Sequence, residues 1–360
     1  MKNSLEWARE TINKTDSEMA KLFVERMRAA EVIANYKKEL GLPILDQARE
    51  DEVIRRNSEL IEDAELRSYY VNFIKNTMSV SRQYQEKLIF GMRVAYCGTE
   101  GAYAHIASEK LFPAARKLAY SDFESAYRAV EAGECDVAVL PTENSSNGEV
   151  GQVTDLMFSG SLYINGMYDL AINHDLLAVP GAKIEDIKTV VSHSQALGQC
   201  AEYIKKHNFE SREYVNTALA AKYVSELGDK STAAIASEEA ADIFGLSALE
   251  TNINQSRSNT TRFAIFSRSE NRHKSTEMGL HTILLFTVRN EAGALAKAID
   301  IIGKHGFNMR SLRSRPMKEL LWQYYFYVEA EGNIYTDEGQ GMMRELKEHC
   351  DKLKSVGSYI

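Results

Sequence analysis

The sequence lacks several features that mark particular classes of protein. It has only 5 prolines and 4 cysteines in 360 residues, and no two cysteines form a C-x-x-C pair, so neither a disulfide framework nor a zinc site is predicted. No apolar run approaches the roughly 18 residues of a membrane helix, and the N-terminus lacks the apolar core of a signal peptide. We therefore expect a cytoplasmic protein whose thiols are reduced.

Positively charged residues are also fewer than negatively charged ones. The chain has 43 Lys and Arg against 51 Asp and Glu, a net charge of −8, and no segment is strongly cationic. This balance argues against a protein that binds nucleic acid or an anionic membrane. With 44% hydrophobic and 26% charged residues the composition is that of an ordinary globular protein, and the length predicts two or three domains.

The first 90 residues predict three helices. Residues 5–38 contain neither Pro nor Gly, and apolar residues recur at seven-residue spacing, at Leu5, Ile12, Met19 and Ile33. This pattern predicts one amphipathic helix of about 34 residues, roughly 50 Å long, which is too long to bury its apolar stripe within one ordinary domain. We expect it to pack in an interleaved oligomer. A second helix is predicted from about Asp46 to Leu60, and a third over about residues 65–88.

Two cations interrupt the apolar stripe of the first helix. Arg26 occupies a heptad position where an apolar residue is expected, and Lys37 lies about three turns later on the same side. Snorkelling would explain either residue alone, whereas the two together indicate a pocket for an anion. Arg9 lies about 25 Å before Arg26 along the helix, so it can serve such a pocket only from a partner subunit.

Polar residues at helical spacing continue this pattern on the second and third helices. They are Asp46, Arg49 and Glu50 on the second and Ser81 and Gln85 on the third. Together with Arg9, Arg26 and Lys37, their order and spacing resemble the all-helical chorismate mutase family over essentially all of residues 5–90. The resemblance implies an intertwined dimer that rearranges chorismate to prephenate.

The resemblance also implies a role for each side chain. Arg9, from the other chain, and Arg26 would bind the two substrate carboxylates, and Lys37 and Gln85 would reach the ether oxygen. Asp46 and Glu50 would receive the ring hydroxyl, and Arg49 and Ser81 would complete the shell. A Claisen rearrangement needs no nucleophile or proton shuttle, only a held conformer and donors aimed at the oxygen that gains negative charge.

After residue 90 the pattern changes to short β-rich runs that alternate with helices. Strands are predicted at 93–97, 136–140, 189–193, 233–237 and 262–266, and helices at 104–111, 123–131, 195–206 and 238–244. The alternation predicts two α/β lobes with a cleft between them, similar to periplasmic binding proteins. Ligands of such folds bind at the carboxyl ends of strands and at helix N-termini.

The predicted strand ends carry small polar residues, in segments 98–103, 141–148 and 192–195. Ordinary turn chemistry explains Gly, Asn and Ser in loops, whereas hydroxyls, an amide and free N–H groups would also suit a carboxylate ligand. Neither G-x-G-x-x-G nor a Walker A motif occurs, so no nucleotide cofactor is predicted, and nothing in the sequence requires a metal or organic cofactor.

These segments resemble prephenate dehydratases over about residues 93–268. The matching pieces are Gly98-x-x-Gly101 with Tyr103, Glu143-Asn144-Ser145 with Gly148, Ser192-His193 with Gln195, Gln199-Cys200, and Thr260-Thr261-Arg262-Phe263. The resemblance implies that Thr261 carries the dehydration and that the site is completed by Asn144, Ser145, His193, Gln195 and Arg262. Ala102 and Ala104 stand where hydroxyl residues are common, which leaves open prephenate or arogenate as the substrate.

The last 80 residues predict a βαββαβ unit after a polar connector at 272–279. Its strands are predicted at 282–288, 308–314 and 321–329 and at the C-terminus, with helices at 294–304 and 337–352. The unit resembles the ACT domain, and phenylalanine binding is implied for Gly293, Ala294, Leu295, Asn308, Ser314, Arg315 and Pro316. Arg313 replaces the acidic residue that usually precedes Ser-Arg-Pro. A simple dimerisation platform is the alternative.

The three resemblances follow one another as in bifunctional chorismate mutase–prephenate dehydratases. We therefore predict a multidomain, two-activity enzyme of phenylalanine biosynthesis, with a mutase domain at 1–90, a dehydratase domain at 91–271 and an ACT domain at 280–360. Its substrates would be chorismate and prephenate, its effector phenylalanine, and its assembly a homodimer or homotetramer. The alternatives are an arogenate dehydratase and an amino-acid sensor whose dehydratase cleft has lost activity.

Overall fold

The computed structural model describes residues 4–256, 258–317 and 323–360. The chain forms two compact units, Met1–Met92 and Arg93–Ile360. Within the described ranges, no helix combines the length and the apolar character needed to cross a bilayer. The predicted C-terminal domain shares the second unit with the α/β lobes, so the division into three domains stays a prediction.

The first unit contains the three predicted helices, α1 (Leu5–Leu40), α2 (Gln47–Ser58) and α3 (Ala64–Phe90). Asp46, where the second helix was predicted to begin, caps α2, since its side chain accepts a hydrogen bond from the Arg49 N–H. Gly41, with φ +64°, ends α1 in the left-handed region. Helix α3 packs along both other helices and closes the unit.

Most of α1 is uncovered within this chain. Of its 36 residues, all of which the structure describes, Ala30 and Ala34 are the only buried ones. The side chains of the predicted apolar stripe are exposed, namely Leu5, Ile12, Met19 and Ile33. The helix therefore carries a continuous apolar surface that its own unit does not bury.

The first lobe of the second unit contains nine elements, eight of which come before the second lobe in the chain. They are β1 (Arg93–Cys97), α4 (Tyr103–Leu111), β2 (Arg116–Tyr120), α5 (Phe123–Glu131), β3 (Val137–Asn144), β4 (Gly148–Glu149), α6 (Gly151–Ser159) and β5 (Tyr163–Ala171). The last strand of its sheet, β11 (Thr260–Ser267), returns from later in the chain and gives the order β2-β1-β3-β11-β5, with β4 paired to β3. Strand β11 runs antiparallel between β3 and β5.

The second lobe is built from the segment between β5 and β11. Its elements are β6 (Asp175–Ala178), a 3₁₀ turn (Ile184–Asp186), β7 (Thr189–Ser192), α7 (Ser194–Gln199), α8 (Ala201–His207), β8 (Glu210–Glu213), α9 (Thr217–Leu227), β9 (Thr232–Ala236), α10 (Glu238–Phe244) and β10 (Ser247–Glu250), with sheet order β10-β6-β9-β7-β8. The single helix predicted at 195–206 is wrong, because Cys200 leaves helical geometry and separates α7 from α8. The chain thus crosses between the lobes twice, once after β5 and once before β11.

The C-terminal part is a four-stranded antiparallel sheet with two helices. It comprises β12 (His281–Thr287), α11 (Ala294–Lys304), β13 (Asn308–Pro316), β14 (Tyr324–Glu331), α12 (Asp337–His349) and β15 (Lys352–Tyr359), in the sheet order β13-β14-β12-β15. The predicted βαββαβ order is confirmed. Helix α12 ends three residues before the predicted end, because the chain at Lys352 pairs with β12 instead. The first part of the strand predicted at 321–329 lies outside the described residues.

The C-terminal sheet buries both of its faces. One face packs on α11 and α12 through residues such as Leu284, Phe286 and Val328. The other joins the core of the first lobe, where Ile283 and Tyr327 pack in one cluster that includes side chains of β5 and β11. This second face brings the C-terminal strands next to the strands that carry the dehydratase motifs.

Candidate active sites

Seven of the eight polar side chains predicted for the helical unit line one cavity of about 390 Å³. They come from all three helices and the connection before α2, and they are Arg26, Lys37, Asp46, Arg49, Glu50, Ser81 and Gln85. Its apolar lining includes Ile33, Val53 and Met78. Helical spacing together with the family resemblance thus predicted seven of the polar residues that line this cavity.

The two predicted cations are held in place by α3 and by the α1–α2 connection. Arg26 donates to the Ser81 hydroxyl and to the Thr77 carbonyl oxygen, and Lys37 donates to the Ile44 carbonyl oxygen. Burial lowers the pKa of the Arg26 guanidinium, and the Glu50 carboxylate opposes this change. Arginine remains charged at neutral pH, so the cavity keeps its positive end.

Arg82 is a cavity residue that the sequence reasoning missed. It forms an ion pair with Glu50, and both side chains are largely buried. Its position next to Ser81 and one turn before Gln85 was the signal that could have identified it. Arg49 lines the cavity but its guanidinium also pairs with Glu52 on the outer surface of α2.

Gln85 is one of two uncharged polar side chains in the predicted set, with Ser81, and both are buried. It is 7% exposed, and its Oε1 atom has no hydrogen-bond partner among the described residues. A buried amide oxygen without a partner costs about 1 to 3 kcal/mol, which a ligand that hydrogen-bonds to it would recover. Arg9, by contrast, is exposed on α1 and does not line the cavity.

In the second unit, Asn144 and Thr261 lie opposite each other on neighbouring strands β3 and β11. Asn144 Nδ2 donates to Thr261 Oγ1 over 2.9 Å and to Asn259 Oδ1 over 3.0 Å. The Asn144 Oδ1 atom accepts from the backbone N–H groups of Ser146 and Asn147. These two donors fix the orientation of the amide, so Thr261 receives a hydrogen bond and its own proton can point elsewhere.

The hydrogen bonds continue from Asn259 across the connections between the lobes. Asn259 Nδ2 donates to Gln199 Oε1 over 3.0 Å, and His174 Nε2 lies 2.8 Å from the same oxygen. Because Gln199 Oε1 can only accept, Nε2 of His174 carries a proton. The Tyr103 hydroxyl faces His174 Nδ1 at 3.0 Å and the Asn173 carbonyl oxygen at 2.6 Å.

His174 and Asn259 are buried polar residues at the two crossings between the lobes, 2% and 3% exposed. Burial lowers the pKa of His174 and raises the pKa of Tyr103, so both are neutral near pH 7. The sequence reasoning did not single out either crossing residue. Asn259 directly precedes the Thr260-Thr261 pair and could have been found from that position, whereas nothing in the local pattern marks His174.

The remaining predicted dehydratase residues have other partners. Ser145 accepts from the Thr260 N–H and donates to the Ser258 carbonyl oxygen, which joins two loops. His193 caps α7 by accepting from the N–H of Gln195, whose own side chain is exposed. In this segment it is Gln199, four residues after Gln195, that joins the network around Thr261.

Arg262 was expected in the cleft wall, but its guanidinium pairs with carboxylates on the other face of β11. Its Nε atom lies 2.9 Å from Asp169, and Nη1 lies 3.5 Å from Glu329 of the C-terminal sheet. The hydrogen bond to Asp169 raises the pKa of Arg262. Strand alternation explains this placement, since Arg262 and Thr261 point to opposite faces.

The residues predicted to bind phenylalanine lie in different places within one chain. Gly293, Ala294 and Leu295 begin α11, where Leu295 lines a cavity of about 370 Å³. Asn308 donates to Glu331 over 2.8 Å. On β13, Ser314 is exposed, Pro316 lines a second cavity, and the Arg315 guanidinium reaches Asp155 and the Tyr325 hydroxyl.

Comparison with known proteins identifies two families along the chain. The family model for prephenate dehydratase matches residues 94–271, and that for chorismate mutase type II matches residues 8–86. The bifunctional chorismate mutase/prephenate dehydratase of Buchnera aphidicola is 30% identical over 99% of this chain and 96% of its own. This chain belongs to that bifunctional family.

Relatives of the dehydratase part alone are also similar. Arogenate dehydratase 2 of Petunia hybrida is 36% identical over 74% of this chain and 71% of its own. Two solved structures share a TM-score of 0.69 over 74% of this chain: GqqA, a quorum quenching acylase, at 31% identity over 97% of its chain, and a prephenate dehydratase from Arthrobacter aurescens in complex with L-Phe, at 26% identity over 90% of its chain. The dehydratase fold of this family member therefore extends over both α/β lobes and the C-terminal sheet.

Proposed function

We propose that the chain catalyses two successive reactions of phenylalanine biosynthesis. Residues 1–90 would rearrange chorismate to prephenate, and residues 91–271 would convert prephenate to phenylpyruvate. The observation that carries this proposal is the cavity in which seven predicted mutase side chains meet, in a chain that matches bifunctional relatives over nearly its whole length. Residues 280–360 would form a regulatory ACT domain.

In the mutase site, Arg26 holds a substrate carboxylate and Lys37 donates to the ether oxygen with the Gln85 amide. The C–O bond breaks as the new C–C bond forms, and negative charge grows on that oxygen, so fixed donors lower the barrier. Asp46 and Glu50 receive the ring hydroxyl, while Arg49 and Ser81 support the neighbouring groups. The enclosed cavity holds chorismate in its reactive conformer.

Arg9 completes the mutase site from a second copy of the chain. Arg9 lies about 25 Å from Arg26 along α1, a distance that no side chain spans. The exposed apolar stripe of α1 supports this assembly, because an intertwined dimer would bury it. A homodimer is therefore the minimal active form of the mutase unit, and pairing of dimers into a tetramer is compatible with it.

In the dehydratase site, the Thr261 hydroxyl donates toward the departing ring hydroxyl of prephenate. Prephenate takes up one proton and loses water and carbon dioxide, and the electrons of the broken C–C bond complete the aromatic ring. The hydrogen bond that Thr261 accepts from Asn144 supports this role, because it leaves the Thr261 proton free to point at substrate. Ser145, His193 and Gln195 shape the surrounding loops, whereas Arg262 lies on the opposite face of β11 and pairs with Asp169 and Glu329.

For the C-terminal unit, we infer an ACT domain that binds phenylalanine and inhibits the dehydratase. Its βαββαβ order and the similarity to a dehydratase solved with L-Phe support this inference. The effector would contact Gly293, Ala294, Leu295, Asn308, Ser314, Arg315 and Pro316. Because Leu295 and Pro316 line separate cavities within one chain, two copies would bring these groups together.

Product analysis tests the proposal directly. The purified protein is given chorismate or prephenate, with and without phenylalanine, and the products are identified by mass spectrometry. Phenylpyruvate from both substrates, at a rate reduced by phenylalanine, is the expected result. Accumulation of prephenate from chorismate, with added prephenate left unchanged, would refute the dehydratase assignment while keeping the mutase.

Arogenate is the second candidate substrate of the dehydratase site. The 36% identity to an arogenate dehydratase supports it, and Ala102 and Ala104 at the start of α4 leave the choice between the two substrates open. The same experiment with arogenate distinguishes the two, since arogenate yields phenylalanine and prephenate yields phenylpyruvate. A kcat/KM for arogenate above that for prephenate would assign the second activity.

A further inference from the structure

The Arg-Ser-Arg segment of β13 faces the first lobe of the dehydratase. Side chains alternate along this edge strand, so Ser314 is exposed while Arg313 and Arg315 point inward. Arg313 Nη2 lies 2.6 Å from Glu143 Oε2, and Arg315 Nη1 lies 3.8 Å from Glu149 Oε2. Two cations of one strand thus approach two carboxylates of the dehydratase lobe.

These two carboxylates belong to one hairpin. Glu143 on β3 and Glu149 on β4 are cross-strand partners, and the next pair is Asn144 with Gly148. The turn between them supplies the two backbone N–H groups that fix the Asn144 amide. The two arginines therefore hold both sides of the hairpin whose tip orients the partner of Thr261.

Arg315 has further contacts that hold its side chain in place. It donates to Asp155 over 2.8 Å and to the Tyr325 hydroxyl over 3.1 Å, and it packs on Gly151, where an added Cβ would collide with the guanidinium. Arg315 is therefore tied to α6 as well as to the hairpin.

Arg313 contacts β3, the strand that carries Asn144. Its side chain is 23% exposed, and its guanidinium lies 5.6 Å from the centre of the Tyr327 ring, which limits its freedom. Glu143 is 36% exposed and adjacent in sequence to Asn144, on the opposite face of β3. An acidic side chain at position 313 would place a like charge next to Glu143 and loosen this contact.

We propose that Arg313 is a positioning residue for the dehydratase reaction, and that its ion pair with Glu143 keeps the hairpin and the Asn144 amide in the orientation that directs the Thr261 hydroxyl to the substrate. This inference rests on the proposed dehydratase function. Under this inference the C-terminal sheet positions a part of the dehydratase active site through the side chain of Arg313.

The test compares Arg313→Met, Arg313→Lys and Glu143→Gln in the full-length protein, with prephenate as substrate. A small misplacement of a catalytic group costs up to about 100-fold in rate, so we expect Arg313→Met to lower kcat by about 10- to 100-fold while KM changes little. Arg313→Lys keeps the charge and should recover most of the rate. The double variant Arg313→Met/Glu143→Gln should be no slower than the slower single variant, because both act through one contact.

Arg310→Met is the matched control. Arg310 lies on the same strand but pairs with Glu331 inside the C-terminal sheet, so its loss should leave kcat unchanged. Mutase activity and the thermal midpoint of each variant verify folding. Equal losses in Arg310→Met and Arg313→Met, or a kcat for Arg313→Met within twofold of the parent, would overturn the inference. A parent protein that leaves prephenate unchanged would instead refute the proposed function, and this inference with it.

Discussion

The Asn144 amide donates to Thr261 while its own oxygen is held by two backbone N–H groups. Replacing Asn144 with Asp removes the donor and substitutes a carboxylate oxygen of nearly the same size. The Thr261 proton would then be drawn to this carboxylate and away from the substrate. We expect Asn144→Asp to lower kcat of the dehydratase by about 100-fold or more, measured with prephenate. The variant also loses the hydrogen bond to Asn259, so its thermal midpoint is measured alongside to verify that it is folded. Activity close to that of the parent would show that the direction of this hydrogen bond is unimportant.

Thr261 itself gives a complementary prediction. Thr261→Ala should lose dehydratase activity by about 100- to 10,000-fold but keep the mutase, because only the second unit loses its donor. Thr261→Ser keeps the hydroxyl and should retain most of the rate. Both activities are measured on one preparation with chorismate and prephenate. Parallel loss of both activities would indicate a folding defect in place of a lost catalytic group.

Sequence spacing identified those site residues that share a helix or a local motif. Arg26 and Lys37 were predicted from one periodic stripe, and the structure brings both to the same cavity. The network around Thr261 was predicted only in part, because His174, Gln199 and Asn259 come from separate segments that tertiary folding brings together. No periodic pattern in the local sequence predicts that side chains from such distant segments will lie close together.

At the scale of elements, the first crossing between the lobes is expected to make the stability of the second unit sensitive to acid. Burial lowers the pKa of His174 at the first crossing. In the unfolded chain this histidine has a pKa of about 6.5, so below that pH the unfolded chain takes up a proton while the folded protein keeps the ring neutral. The stability from neutral His174 is complete above about pH 6.5 and falls as the pH drops toward the lower folded pKa, by at most about 1.4 kcal/mol per pH unit. Denaturant unfolding at several pH values measures this slope.

His174→Gln isolates the contribution of that one residue to the slope. Glutamine can still donate to Gln199 and accept from Tyr103, but it does not titrate. We expect the difference in free energy of unfolding between parent and variant to shrink as the pH is lowered from 8 to 5, because only the parent loses the contribution. Parallel curves for the two proteins would contradict the assignment of a lowered pKa to His174.

Predicted elements matched the structure where a strong local pattern met a clear stop signal. The helix at 123–131 and the helix at 294–304 begin and end as predicted. Strands β2, β4, β5, β6, β8 and β10 were missed, since each is defined by its pairing with another strand and has no clear alternation of its own. The last helix is also shorter than predicted, because the chain after it pairs with β12 as strand β15.

At the scale of the whole molecule, the proposed role of Arg9 predicts that mutase sites are shared between two chains. Arg9→Ala and Lys37→Ala should each be inactive as homodimers, yet a mixed dimer would contain one intact site, formed by Lys37 of the first chain and Arg9 of the second. With random pairing after co-expression, half of the dimers are mixed and each has one working site, so about one quarter of the parent activity should return. Co-expressed Arg26→Ala and Lys37→Ala should recover nothing, because both residues line the cavity of a single chain. Equal activities in the two mixtures would mean that Arg9 does not act in the partner's site.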